Sequence, residues 1–324
     1  MELFTSLKQK VTGHNLKLVF PEATDSRILK AATRLFQEHI LTPVFLGEPT
    51  AVQAAASAAQ VDITGIETLD PNNYSDFADM VTTFVERRHG KNTPEQAQTM
   101  LRDPNYFGTM LVYMQKVDGM VSGAIHPTGD TVRPALQIIK VQPGLTRTSG
   151  AFIMQKGDQR YLFADCAINI NPSAQELAEI AATSAQTAKV FDIEPKVALL
   201  SFSTKGSAKG EEIDKVAEAT KIVQEQHPEL AVDGELQFDA AFVPEVAQQK
   251  APDSAVAGQS TVFVFPELQS GNIGYKIAQR FGGFEAIGPV LQGLNQPVSD
   301  LSRGCNEEDV YKLALITAAQ AVKA

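Results

Sequence analysis

Leu16-Lys17-Leu18-Val19-Phe20, then Pro21-Glu22, then Asp25 to Gln37: an apolar run of strand length, a break, and an amphipathic stretch at helical spacing. The alternation recurs along the chain. Pro43-Val44-Phe45-Leu46-Gly47 reads as a strand. Ser75 to His89 reads as a helix with Phe77, Met80, Val81 and Phe84 on one face. Gly119 to Gly123 is an apolar run ending at a glycine. Asp130 to Lys140 reads as a helix with Pro134 in its first turn. Ala151–Met154 and Arg160–Ala164 read as strands of a hairpin, and Ser173–Phe191 as a long helix. Lys196–Phe202 and Thr261–Phe265 are buried strands, Asn272–Phe281 a helix, and Glu307 to Val322 the last helix. Such alternation predicts an α/β fold with mainly parallel, doubly wound sheets. Ligands of such sheets bind beyond the carboxyl ends of strands. The loops at Pro21-Glu22, Ser122-Gly123 and Ser201 to Gly206 therefore carry the most weight.

At 324 residues the chain is too long for one core and fits two α/β domains. Pro143-Gly144 and Asn295-Gln296-Pro297 are the best crossings. They divide the chain into a split first domain, 1–144 plus 297–324, and a second, 145–296. Hydrophobic residues at 44% and charged residues at 20% are those of a globular protein. The net charge of −10 disfavours nucleic acid and anionic membranes as partners. An acidic enzyme acting on anions needs a local cluster of Arg and Lys. Cys166 and Cys305 form no CxxC pair and no zinc pattern. No basic-then-apolar leader and no run near the ~18–20 residues of a membrane span is visible. The expectation is a cytoplasmic protein with reduced thiols.

Four segments offer cations on loops. In Asp300-Leu301-Ser302-Arg303-Gly304-Cys305-Asn306-Glu307-Glu308-Asp309, an Arg beside a Gly suits bidentate binding of phosphate. Asn306 and Asp309 are also spaced as a capping box, which spacing alone favours for Asp309. The loop His126 to Pro134 brings Arg133 to a helix start, where it either holds an anion or is solvated. Phe202-Ser203-Thr204-Lys205-Gly206-Ser207-Ala208-Lys209-Gly210 is a small-residue loop after a strand, suited to phosphate but not a P-loop. Glu86-Arg87-Arg88-His89-Gly90-Lys91 places cations at a helix end, which the helix dipole alone explains. Arg27, at a helix start, reads by itself as a surface charge.

The segments Val19-Phe20-Pro21-Glu22, Tyr106-Phe107-Gly108-Thr109-Met110, Asp130-Thr131-Val132-Arg133-Pro134, Phe163-Ala164-Asp165, Leu200 to Ala208 and Asp300 to Cys305 closely resemble the phosphate acetyltransferase family. Phe238-Asp239-Ala240-Ala241 and Gly271 to Arg280 match as well. The resemblance spans essentially the whole chain, in the compact form of Gram-positive bacteria. It implies two α/β domains with a cleft between them, of the isocitrate/isopropylmalate dehydrogenase type, and a homodimer. It implies acetyl transfer between acetyl-CoA and phosphate, with coenzyme A as a substrate, no tightly bound cofactor and no metal. It implies roles too. Asp309 resembles the general base for the CoA thiol, Ser302 the residue that orients it, and Arg303 the residue that holds acetyl phosphate. Arg87 and Arg133, with Arg27, resemble further substrate-binding arginines. Ser203, Thr204 and Lys205 are candidates for the loop that meets phosphate or CoA.

Three rival readings remain beside this one. Phosphate butyryltransferase is the same chemistry with a wider acyl pocket. A non-catalytic acetyl-CoA-sensing module would keep the fold without the reaction, against which intact Ser302, Arg303 and Asp309 argue. A nicotinamide-dependent dehydrogenase of the same fold would need a Mg²⁺-type Asp cluster or a GxGxxG fingerprint, and neither is seen.

Overall fold

A computed structural model describes residues 3–322. The chain forms two compact units, residues 1–141 with 294–324, and residues 142–293. The sequence reading puts the crossings after Gly144 and after Gln296.

The first unit is built on a five-stranded, wholly parallel sheet. Its order is Val298–Asp300, Gly119–Ser122, Lys17–Phe20, Thr42–Leu46, Glu67–Leu69. The central strands are apolar on both faces because helices cover both, as parallel pairing requires. Leu18, Val19 and Phe20 are fully buried, as are Met120 and Val121. The C-terminal helix Glu307–Ala321 closes this unit. Val310, Tyr311, Ala314, Leu315, Ile316 and Ala318 are buried on it, so most of its circumference is core. Glu38 ties it to the helix Ser26–Gln37, accepting from Tyr311 Oη (2.5 Å), Lys8 Nζ (3.0 Å) and Arg34 Nε (3.0 Å). Burial works against that carboxylate, but these three donors outweigh it and bring its pKa down to about 2.

Caps explain where helices begin. Asp25 accepts from Arg27 N at the start of Ser26–Gln37. Ser173 and Glu176 form a capping box at Ala174–Val190, and Thr93 and Gln96 another at Pro94–Met100. One expected helix is different. Helical structure begins at Thr128, two residues before Asp130, so Pro134 ends the α-helix instead of opening it. Proline lacks the N–H that an interior position needs. The chain continues as a wider π-helical turn, Ala135–Ile139.

The second unit holds a six-stranded mixed sheet. Its order is Glu285–Gln292, Ser149–Lys156, Gln159–Ala164, Val262–Val264, Lys196–Leu200, Ala231–Leu236. The expected hairpin is present: Lys156 faces Gln159, which leaves Gly157-Asp158 as a two-residue turn, with Gly157 at φ 57°. The Glu285–Gln292 strand adds a second antiparallel pair, so this sheet is less parallel than the alternation suggested. The strand expected to reach Phe202 stops at Leu200, and Phe202 is left exposed. Phe152, Phe163, Phe263 and Phe265 form an aromatic core beneath the sheet.

Candidate active site

In the first unit, the strand ends Ser122 and Asp300 lie side by side in register, and Leu301 N donates to Ser122 O (2.7 Å). Gly123 makes this approach possible. It sits at φ 108°, and a Cβ there would stand 2.5 Å from Asp300 Oδ1 and 2.7 Å from Leu301 N. Beyond the strand the chain turns outward. Ser302 and Arg303 are exposed, Ser302 Oγ accepts from Gly304 N (3.3 Å), and Cys305 N donates to Ser302 O (2.9 Å). The Arg303 guanidinium has no hydrogen-bond or ion-pair partner among the described residues. Asn306 then opens the last helix in a reciprocal capping box: Asp309 N donates to Asn306 Oδ1 (3.0 Å), and Asn306 N to Asp309 Oδ2 (2.9 Å). Asp309 is exposed, and its other carboxylate oxygen carries no such bond. Capping, which the spacing favoured, is what the structure shows.

Arg27 holds this loop. Its Nη1 donates to Arg303 O and Cys305 O, both 2.9 Å, and its Nη2 to Ala124 O (2.9 Å). Nε and Nη2 also grip Asp25 at 2.9 and 2.8 Å. All five guanidinium donors are thus spent inside the protein. Contact with a ligand would require giving one up, so Arg27 stands as the residue that fixes the Ser302–Cys305 turn. Arg27 in return holds the Asp25 carboxyl below its usual range.

Sequence reasoning marked the Pro21-Glu22 loop but not Glu22 as a residue of the site. Its side chain is wholly buried. It accepts from the backbone N–H groups of Gly123 (3.0 Å), Ala124 (2.7 Å), Ile125 (3.0 Å) and His126 (3.1 Å), and lies 2.7 Å from His126 Nδ1. One carboxylate therefore organises the loop that leads to Arg133. The only sequence signal is its place directly after a buried strand. Asp300 is buried beside it. Burial pushes the Asp300 carboxyl up, the Thr128 and Thr131 hydroxyls pull it down, and the charge of Glu22 raises it again.

Arg133 is exposed on the helix Thr128–Pro134 and has no partner among the described residues. Arg87, at the end of the helix Phe77–Arg87, reaches back to the π-helical turn. Its Nε donates to Ile138 O (2.5 Å) and its Nη2 to Ile139 O (2.9 Å), with the ring of Tyr113 4.8 Å away. The first unit thus brings Ser302 and Arg303 onto one turn, with Asp309 at the helix start that follows and Arg27 bonded to the turn's carbonyls. It leaves Arg303 and Arg133 with free cationic heads.

Ser203, Thr204 and Lys205 belong to the second unit. Their loop is folded onto acids and an amide of its own sheet. Ser203 is fully buried, donating to Glu235 Oε1 (2.9 Å) and accepting from Ala208 N (3.1 Å). Thr204 is buried against Gln237, whose N–H donates to its hydroxyl (3.0 Å). Lys205 pairs with Asp233 and donates to Gly234 O (3.0 Å). The two hydroxyls therefore frame the loop and present nothing outward. Lys205 alone keeps an exposed, partly uncommitted head.

Cys166 is buried, and burial pushes its thiol far up; Cys305 is buried and raised as well, with Arg27 pulling it down. Among the described residues no group of three or more His, Cys, Asp or Glu is placed to hold a metal ion, and no helix is long and apolar enough to cross a membrane.

Residues 2–318 match the model of the family described as "Phosphate acetyl/butaryl transferase". The chain belongs to this family. It is 60% identical over 321 residues to the phosphate acetyltransferase of Bacillus subtilis, covering 99% of both chains. A phosphotransacetylase structure from Streptococcus pyogenes superposes with a TM-score of 0.98 at 61% identity, covering 99% of this chain and 98% of that one. As fold alone, the likeness extends to a Salmonella typhimurium structure assigned as a 4-hydroxythreonine-4-phosphate dehydrogenase. That structure shares 13% identity, with a TM-score of 0.55 over 95% of this chain and 100% of that one. The α/β fold of the dehydrogenase type read from the sequence stands.

Proposed function

We propose that this chain is a phosphate acetyltransferase that passes an acetyl group directly between coenzyme A and phosphate in a ternary complex. The observation that carries this is the full-length identity of about 60% to members of the family named phosphate acetyltransferase or phosphotransacetylase, together with an exposed Arg303 on the Ser302–Asp309 turn that has no partner among the described residues.

The CoA thiol, with a pKa near ~8.5, is mostly protonated at neutral pH. Asp309 takes that proton as attack begins, which requires the carboxylate to leave or share its cap on Asn306 N. The thiolate adds to the carbonyl carbon of acetyl phosphate. Ser302 orients the base, and Arg303 holds the acyl phosphate and the oxyanion that develops. Phosphate departs against Arg133 and Arg87, while Arg27 keeps the turn in place. Both cysteines are buried with raised pKa values, which argues against an acetyl-cysteine intermediate. Rapid quench after mixing with labelled acetyl phosphate alone tests the route. Label retained on protein at Cys166 or Cys305 in a burst overturns direct transfer.

The working form is a cytoplasmic homodimer that uses the apolar face of the second unit. There Phe281 is 92% exposed and Ile273 and Ile277 are half exposed beside a groove of about 480 Å³ lined by Phe238, Phe242 and Phe284. A monomer rarely leaves so continuous an apolar surface in water. Light scattering at twice the chain mass supports this part; a monomer at micromolar concentration contradicts it.

A further inference from the structure

His126 lies on the loop between the strand Gly119–Ser122 and the helix Thr128–Pro134, and the reaction as described leaves it unused. Its Nδ1 is 2.7 Å from Glu22 Oε1, and its backbone N–H donates to the same oxygen (3.1 Å). The buried Glu22 takes three more backbone N–H groups, from Gly123, Ala124 and Ile125. A carboxylate so placed is an acceptor, so the ring hydrogen lies on Nδ1 and the lone pair of the neutral ring on Nε2. A buried acid thus fixes both the orientation and the tautomer of the imidazole. The His126 side chain is 30% exposed, and its Nε2 has no partner among the described residues.

Hydrogen bonds tie this loop to the turn that carries Ser302 and Arg303. Leu301 N donates to Ser122 O (2.7 Å), and Arg27 joins Ala124 O to Arg303 O and Cys305 O, each at 2.9 Å. Ala124 stands two residues before His126. Two residues after it the helix begins, and Arg133 turns its head back over the first turn: a Cβ at Gly129 would stand 3.8 Å from Arg133 Nη2. The ring of His126 and the head of Arg133 therefore lie at the same end of that helix. The proposed reaction has a proton to place at such a point. When the C–O bond of the acetyl phosphate dianion breaks, phosphate would depart as its trianion, a strong base. An arginine binds that group but cannot give it a proton. An imidazole oriented by a buried carboxylate can.

We propose that His126 is the general acid that protonates the departing phosphate and, in the reverse direction, the base that activates phosphate for attack on acetyl-CoA. The inference rests on the acetyl phosphate reading above. The thiol proton goes to Asp309 as the C–S bond forms. The C–O bond to phosphate then breaks, its electron pair stays on the phosphate oxygen, and that oxygen takes the proton of His126 Nε2–H. Hydrogen phosphate leaves as a dianion, and His126 is left neutral. Glu22 stabilises the imidazolium while the ring carries the proton. Exchange with solvent removes the proton from Asp309 and returns one to His126, so the net change is transfer of the thiol proton to phosphate.

The test is His126→Asn, whose amide still offers an N–H to Glu22 but has nothing in place of Nε2. Thioester formation from acetyl phosphate and CoA is measured with kcat and KM resolved, and Tm is recorded. The expected result is a kcat lower by about 10²–10⁴-fold, with the KM for acetyl phosphate and the Tm close to wild type. Methyl acetyl phosphate separates proton delivery from loop order, because its leaving group departs as the methyl phosphate dianion and needs no proton. The loss of kcat in His126→Asn should be at least about tenfold smaller with that donor. A wild-type kcat in His126→Asn, or equal losses with the two donors, overturns the proposal. Absence of thioester from the wild-type protein would instead remove the acetyl phosphate reading on which it rests.

Discussion

Replacing Arg27 by Ala removes a side chain that joins the Ser302–Cys305 turn to the Ala124 loop. Three backbone carbonyls, those of Ala124, Arg303 and Cys305, each lose a charged donor at 2.9 Å. Hydrogen bonds to charged groups contribute about 1.5–3 kcal/mol each. The Arg27 side chain is about a quarter exposed, so water recovers part of this. A net loss of roughly 2–3 kcal/mol in the preference of the turn for its present form is the expected scale. With only that form competent, the productive fraction falls by a factor of about 30 to 160. The assay is thioester absorbance with acetyl phosphate and CoA, resolving kcat from KM. The expected result is a fall in kcat that Arg27→Lys does not restore, because an ammonium is a point donor and cannot span three carbonyls and Asp25. A wild-type kcat in Arg27→Ala would refute the positioning role. A rise in KM for acetyl phosphate alone would show direct ligand binding instead.

Glu22→Gln sets an amide NH2 against backbone donors that now bond a carboxylate; a cost of about 2–4 kcal/mol should appear as a lower Tm with lost activity, and an unchanged Tm would contradict the role given to Glu22. Phe281→Glu is expected to convert the dimer to a monomer in light scattering, and a persistent dimer would place the interface elsewhere. The Glu38 pKa of about 2 is a lowered one, so its stabilisation is full above ~4.5 and is lost as pH falls toward 2. Glu38→Gln should therefore lower Tm at neutral pH and narrow the gap to wild type in acid; a constant gap would contradict this.

The fold was readable wherever a short apolar run met a turn. Gly119 to Gly123 and Lys196 to Leu200 are such runs, and their burial is a property of composition. Asp25, Ser173 and Asn306 marked helix starts through local capping chemistry. Glu285–Gln292 escaped because glycine and proline at 288 and 289 interrupt its pattern, and only its antiparallel partner makes it a strand. The site was readable as a set of cations and a carboxylate, but not in what each does. Arg27 and Arg303 look alike in sequence, yet one has spent every donor and the other none. Ser203 and Thr204 looked like phosphate ligands, and the acids that absorb the loop, Asp233 and Glu235, lie some thirty residues on. Glu22 was hidden because burial of a carboxylate leaves no local mark.

Asp309 has two possible duties, helix cap and proton acceptor, and one variant separates them. Asn at 309 keeps an acceptor for Asn306 N and loses the basicity. The decisive measurement is the rate of thioester formation from acetyl phosphate and CoA by wild type and Asp309→Asn, with Tm recorded for both. Rapid acetyl-CoA formation by wild type, a loss of about 10²–10⁴-fold in Asp309→Asn, and a Tm little changed are the predicted results. Wild-type turnover in Asp309→Asn would leave Asp309 a cap only, and no thioester from either protein would contradict the assignment of the reaction itself.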